Sequence, residues 1–489
     1  MPVSEDQARR LVDVLASELT SRSADVLRND RYYRGKHPLN FASDEFQKYC
    51  ADRYKGFSDN WVQPVADSPV ERLTVTGIQA PGASKADAEL WGVWQRNGLD
   101  ADSQLGFLGA GNAARSFVLV WGDPDDDDTP CVTFEDASTA IVQYVPGSRR
   151  KRRAAMKMWQ DGFSEFATLY LPDEVWKFER PLSSGEKKSP QMAEADEVVD
   201  GWTPREMDAE PNPQPNPMGV VPMVELPNRP LLAADPVSDI SGVISMQDAI
   251  NLLWALLFTG ADFASLAQRI IIGAEVPKIP ILDANGQKVG EKPIDLKKFV
   301  NDRILWLENP NAKVESWPAA SLTAYTDIIE VAVGHIAAQT RTPQHYLVGK
   351  MANLSGDALI AAETGLVKRA EEKQLWFGQA LREVFQLICL ARGEDARGRE
   401  LAAGTVLWRD PQSRNLAQLT DSLLKLKQVG FPFEWLAQRF GLTPTEVTTL
   451  MEMRTREADL DPVSAIMSRA APGALEPGPT DTDPVDDGP

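Results

Sequence analysis

The sequence predicts an α+β chain that is mainly helical, and three observations carry that reading. Residues 321–390 hold two segments of helical apolar period separated by a short apolar loop. Residues 117–179 break into short alternating runs between turn residues, the pattern of strands. Residues 239–272 and 321–341, both of helical period, flank a compact stretch with strand and hairpin signals.

Taken in order, Ser4 and Gln7 form a capping box ahead of Leu11, Val14, Leu15 and Leu19, which predicts a helix to about Asp30. It delivers the chain to Tyr32, Tyr33, Arg34 and Gly35. Residues 60–72 read as helical although Pro64 and Pro69 restrict them, and 73–78 alternate like a strand. Helices are expected over 83–97 and 101–115, separated at Gly98. Strands are expected at 117–121, 131–135, 140–145, 154–159, 166–171 and 175–179, arranged as one antiparallel meander. Residues 183–218 shift to Ser, Glu, Lys and Pro and read as a mobile excursion followed by an extended linker, closing an N-terminal part at about 238.

A long helix is expected over 239–272. The insertion at 273–320 carries strand signals at 279–282 and near Ile304 and Val314, a hairpin signal at Asn285-Gly286 and a short helical stretch at 294–300. In the next segment Leu322, Tyr325, Ile329, Ala332 and Ile336 make one apolar stripe, and Pro343 ends that helix near Thr342. The following helix starts at Ser355 and Asp357, and Leu359, Ala362, Leu366, Ala370, Phe377, Leu381 and Phe385 carry its stripe. At 1.5 Å per residue it reaches roughly 50 Å. Between the two lies residues 342–356, TPQHYLVGKMANLSG, with Tyr346, Leu347, Val348, Met351 and Leu354, too apolar for an ordinary solvent loop. It is either a buried helix-to-helix connection or a loop packed against copies of itself. A Gly- and Arg-rich turn, a strand at 406–408 and helices at 415–428, 433–440 and 444–457 complete the ordered part. The tail beyond, acidic and proline-bearing, is expected to be disordered.

The chain has 489 residues and a formal charge of −20, which argues against a free-standing nucleic-acid binder held by phosphate contacts. Cys50, Cys131 and Cys389 have no CxxC spacing, so reduced thiols in a cytosolic compartment are expected. Glu5, Asp6, Arg9 and Arg10 stand where a signal peptide needs an apolar core. The best membrane candidate, residues 249–267, is interrupted by Asn251 and Asp262, and a helix packed on most sides explains it better. No phosphate loop ending in Gly-Lys-Ser/Thr occurs, so no nucleotide hydrolysis and no cofactor is expected. Gly109, Gly111 and Ala114 match a dinucleotide fingerprint only formally, without a clear strand before them. His37, His335 and His345 have no catalytic company. Asp123, Asp125, Asp126, Asp127 and Asp128 read as a solvated hairpin tip, with a divalent ion as the alternative. Arg149, Arg150, Lys151, Arg152 and Arg153 suit a phosphate contact, a solvated basic turn or an acidic protein partner.

The order of parts resembles the portal proteins of tailed double-stranded DNA bacteriophages, of siphophage type and nearest those infecting actinobacteria. The resemblance spans 4–461 and rests on Tyr32-Tyr33-Arg34-Gly35, on Asn60 with Arg72-Leu73-Thr74-Val75-Thr76-Gly77, on the helix, insertion and helix order, and on Pro343, Leu347, Gly349, Ser355-Gly356 and Ala358-Leu359. It implies an elongated portal-type subunit with wing, stem, clip and crown, in a dodecameric ring with an axial DNA channel at one capsid vertex of the virion. By that resemblance 239–272 and 321–341 are stem helices, 273–320 the clip, 342–356 the tunnel loop, 357–410 the long wing helix and following strand, and 411–461 the crown. Residues 1–238 would complete the wing. The implied partners are the terminase large subunit, major capsid and scaffold proteins, a head-tail adaptor and double-stranded DNA. Gln344, His345, Tyr346, Leu347, Lys350, Met351, Asn353 and Leu354 would line the channel. Ala284, Asn285, Gly286, Gln287 and Lys288 would dock the terminase. Lys350 either adds a belt of positive charge or neutralises Asp357. The reading from another class is a metal-dependent enzyme acting on nucleic acid through the Asp125 cluster.

Overall fold

The computed structural model describes residues 3–54, 57–83, 85–126, 128–182, 201–205, 211–265, 269–272, 278–282, 287–293, 304–307, 322–348, 356–412 and 416–460. Helix α1 (Glu5–Tyr33) opens on the expected capping box, Ser4 accepting from the Gln7 amide and the Gln7 side chain from the Ser4 amide. Its stripe of Val12, Leu15 and Leu19 is buried against a sheet that supplies Ile141, Leu169 and Phe178. Helices α2 (Asp44–Arg53) and α3 (Val62–Val70), strand β1 (Val75–Gln79), and helices α4 (Ala88–Arg96) and α5 (Leu99–Ala113) follow.

The expected single meander is instead two antiparallel sheets. Strands β2 (Arg115–Trp121) and β3 (Cys131–Glu135) pair with each other, and the free edge of β2 is taken by β10 (Met223–Pro227). A tight turn follows β3, where Asp136 Oδ1 accepts the Ser138 amide at 2.8 Å, and it starts a separate sheet. That sheet holds β4 (Ala140–Tyr144), β5 (Arg152–Asp161), β6 (Ser164–Tyr170) and β7 (Glu174–Pro181), with the two-residue β8 (Thr203–Pro204) and β9 (Gln214–Pro215) both on β7. Sequence alternation marks strands but not which edge meets which, and the β2–β10 pair spans about a hundred residues of chain.

The proline-rich linker is also corrected over its described part. Asn212 Nδ2 donates to the Lys177 carbonyl at 2.7 Å and its Oδ1 accepts the Lys177 amide at 3.0 Å. Trp202 is fully buried with the Arg180 guanidinium 4.2 Å above its ring. Prolines suit this edge because an edge strand leaves some amides unpaired. The excursion at 183–200 lies outside the described residues.

Helix α6 (Ile244–Ser265) is shorter than expected, because residues expected to be helical to 272 include β11 (Arg269–Ile272). Three consecutive isoleucines, Ile270 to Ile272, are stiff at χ1 and favour an extended backbone once a partner strand is present. That partner is β14 (Ile304–Leu307), aligned in parallel. The hairpin signal is flanked by β12 (Lys278–Leu282) and β13 (Lys288–Pro293), paired antiparallel. The short helix expected at 294–300 and the strand near Val314 lie outside the described residues.

Helix α7 (Thr323–Thr340) ends two residues before Thr342, with its C-cap Arg341 at φ 55°. A single turn α8 (Gln344–Val348) follows, then α9 (Gly356–Ala391), the spine of the molecule. Phe377, Leu381 and Phe385 of α9 are fully buried, with Phe107 stacked on Phe377 at 5.2 Å and Trp94 on Phe385 at 5.7 Å. The arginine-rich turn after α9 contains a helix not expected from the sequence, α10 (Asp395–Leu401), and Arg397 of α10 clamps Asp87 at 2.7 Å. Strand β15 (Thr405–Trp408) returns to pair with β1, and α11 (Leu416–Gln428), α12 (Phe433–Phe440) and α13 (Pro444–Leu460) form the helical end-piece. The acidic tail is outside the described residues.

At Gly106 in α5, an added Cβ would lie 2.0 Å from the Phe134 ring. Gly106→Ala is therefore expected to destabilise the chain by about 1–3 kcal/mol through overpacking. The check is the denaturation midpoint in urea, where an unchanged midpoint would contradict the packing argument.

Candidate functional site

A buried polar cluster forms where α9 passes the turn before α6 and the end of α7. Asp239 sits in the turn before α6 with its side chain wholly buried, 2.7 Å from Lys373 Nζ and 3.2 Å from Arg369. Asn228 Nδ2 donates to Asp239 Oδ1 at 3.2 Å, and Lys373 donates to Asn228 Oδ1. Burial alone would push the Asp239 carboxyl up; the Lys373 and Arg369 charges and the two hydrogen bonds outweigh it and hold it at about 2. Arg369 also donates to the Thr340 carbonyl at 3.0 Å and the Val65 carbonyl at 3.2 Å. One arginine thus joins α9 to the end of α7 and to α3.

Gly111 belongs to this construction. Its carbonyl accepts the Asp239 amide at 2.9 Å, and a Cβ at that position would lie 3.2 Å from Asp239 Oδ2. The glycines of the formal dinucleotide match stand inside helix α5, so Gly111 admits a carboxylate of this chain rather than a pyrophosphate.

A second cluster holds the loop itself. Arg72 Nη2 donates to the Tyr346 hydroxyl at 2.7 Å and lies 3.2 Å from Glu363 of α9. The Tyr346 hydroxyl donates to Glu363 at 3.3 Å, and His345 Nε2 stands 3.9 Å from the same carboxylate. Leu347 is buried with Val333 and Ile336 in the core of this chain. At Leu347 the loop is therefore packed into the core of its own chain, as a buried helix-to-helix connection requires.

Of the residues expected to line a channel, Gln344 is exposed, His345 half-buried, Tyr346 partly exposed and Leu347 buried. Lys350, Met351, Asn353 and Leu354 lie outside the described residues. On the hairpin, Gln287 is exposed and Lys288 pairs with Leu282, while Ala284, Asn285 and Gly286 are outside the described residues. The acidic tip of the β2–β3 connection turns its carboxylates on its own backbone, Asp123 accepting the Asp125 amide at 2.9 Å and Asp126 the Asp128 amide at 3.0 Å. Among the described residues no group of three or more His, Cys, Asp or Glu is placed to hold a metal ion. No described helix is long and apolar enough to cross a membrane.

Asp239, Arg369, Asn228 and Glu363 were not singled out from the sequence, and Arg72 was named only within the motif that carried the resemblance. Lys373 offered a signal, since it falls between Ala370 and Phe377 at the three- and four-residue steps of the apolar stripe. A cation on a buried stripe requires a buried anion.

The model of the family described as Phage portal protein, SPP1 Gp6-like, matches residues 13–439. The chain belongs to that family. The portal protein of Mycobacterium phage L5 is 30% identical to it over 378 residues, 74% of this chain and 70% of that protein. The portal protein of Mycobacterium phage D29 matches to the same extent. Capsid and DNA-packaging roles follow from the family, and its members are structural proteins rather than enzymes. The residues that carried the resemblance are bolts in this structure: Tyr32 donates to Asp248 of α6 at 2.7 Å, Tyr33 to Asp67 of α3 at 2.9 Å, and Asn60 to the Tyr33 carbonyl at 2.8 Å.

The depressed Asp239 carboxyl stabilises the fold fully above its ordinary value of 3.8, and that stability is lost as pH falls toward about 2. Asp239→Asn is expected to cost about 3–5 kcal/mol by leaving buried cations unpaired. It is also expected to flatten the acid limb of stability between pH 4 and 2. Urea titrations of parent and variant across that range measure both effects.

Proposed function

We propose that the chain forms a closed, dodecameric ring at one vertex of a phage capsid, with double-stranded DNA passing along its axis during packaging and ejection. Membership of the portal family over residues 13–439 carries this reading. Support comes from helices that leave apolar side chains uncovered: Val331 of α7 is 58% exposed, and Ile328 and Leu256 are also open to solvent. Such faces are expected to be covered by neighbouring copies, and head-to-tail contacts of one patch with another close into rings. An acidic wall lets a polyanion slide where a basic one would hold it, which suits a charge of −20.

In this reading α6 and α7 form the stem, and residues 273–320 the clip that docks the terminase large subunit and later the head-tail adaptor. The α5–α9 body with the two sheets forms the wing, in contact with major capsid and scaffold proteins, and α11 to α13 the crown. Residues 342–356 form the tunnel loop. Because Tyr346 and Leu347 are anchored to Glu363 and the core, the DNA-facing part of that loop falls on Lys350, Met351, Asn353 and Leu354, with Gln344 at its edge.

Negative-stain images of purified chain are expected to show rings with a central hole, and a stable monomer at micromolar concentration would overturn the assembly. Lys350→Glu is expected to leave rings intact and reduce packaged DNA length or its retention. Full genomes retained as in the parent would remove the DNA-contact role. Deleting residues 284–288 is expected to weaken terminase binding with rings unchanged; unaltered binding would reject the docking assignment.

A further inference from the structure

Away from the stem and loop, the surface where α1 crosses the larger sheet carries a groove of about 490 Å³. Val3, Leu11, Val14, Leu171 and Pro172 give it an apolar floor, and Val14 is 53% exposed. Arg10 and Arg153 also line it, as do Asp173 and Glu174, the latter accepting the Val3 amide at 2.8 Å and the Trp176 indole at 3.0 Å. Arg153 continues into the β4–β5 hairpin, where Arg149, Arg150 and Lys151 are exposed. Arg152 is the exception there, held by Glu383 of α9 at 2.5 Å. Arg10, Arg149, Arg150, Lys151 and Arg153 have no carboxylate partner among the described residues, in a chain whose formal charge is −20. The side-chain carbonyl of Gln143, in the same groove, is buried and accepts no hydrogen bond among the described residues. Apolar floor, unpaired cations and an unsatisfied acceptor together describe a seat for an extended acidic peptide with apolar anchors.

We infer that the occupant is the C-terminal segment of this chain. Beyond Arg469 it contains Glu476, Asp481, Asp483, Asp486 and Asp487 and no Lys or Arg, with Leu475 and Val485 as apolar residues among them. Prolines at 477, 479 and 484 disfavour a helix and favour the extended backbone that a groove takes. Thr480 to Asp483 retain amides that can donate to Gln143. Helix α13 ends at Leu460, so 29 residues remain, on the order of 95 Å when extended. The groove is on the same body as α13: α13 packs on α4, Trp94 of α4 stacks on Phe385 of α9, and Glu383 of α9 holds the basic hairpin. The contact is electrostatic at its rim, so it weakens as salt rises.

The experiment uses the full-length chain with a photo-cross-linking amino acid in place of Val485. Cross-links are expected to map to residues 3–14 and 171–174. Their yield is expected to fall about tenfold in Arg10→Asp/Arg153→Asp, as a lost pair of charge contacts implies, and to recover when Asp486→Lys/Asp487→Lys is added. Cross-links spread over other surfaces, or a yield indifferent to charge reversal, would overturn the proposal. Duplex DNA that binds these arginines in the parent chain and abolishes the cross-link would assign the surface to nucleic acid and overturn it as well.

Discussion

The buried carboxylate of Asp239 is the constraint on which the rest of the molecule depends. Its two cations come from α9, its neighbouring amide is held by α5, and the arginine that pairs with it also caps the end of α7 and reaches α3. Four helices and the turn into α6 are therefore tied at one point. A group of charges so far from water is stable only when complete, because each ion left alone bears its full desolvation cost. Such a joint tolerates little relative sliding of the elements it joins.

Around that joint the molecule separates into parts of different character. The α5–α9–α10 body is packed with stacked aromatic rings and closed by the β1–β15 pair, which joins segments more than three hundred residues apart in the chain. Helices α6 and α7 leave this body with apolar residues still uncovered, and β11 to β14 stand beyond them. A portal-family chain built this way has its rigid anchor at one end of the helical pair and its unpartnered surface along it.

In the loop after α7 the described residues follow the reading of a helix-to-helix connection at Leu347. Leu347 and Tyr346 were apolar and aromatic because they close the chain's own core and meet Arg72 and Glu363. In α5, likewise, Gly111 of the formal nucleotide fingerprint admits Asp239, and Gly106 beside it admits the Phe134 ring.

What the sequence determined by itself was whatever depends on neighbours in the chain. The capping box at Ser4, the stop at Pro343, the length of α9 and the span of α12 are local matters of hydrogen bonding, ring geometry and apolar period, and they could be read directly. The order of helix, insertion and helix was legible for the same reason, and it carried the family resemblance. Only the tertiary structure decided that the strands form two sheets, that Ile270 to Ile272 leave the helix for a parallel partner, and that proline-rich residues 211–215 lie on a sheet edge. It alone joined Asp239 to Lys373 and Arg72 to Tyr346. The two side-chain pairings close over more than a hundred residues and the strand pairings over tens, and the free energy that selects them comes from desolvated charges and sheet edges that exist only once the chain has folded.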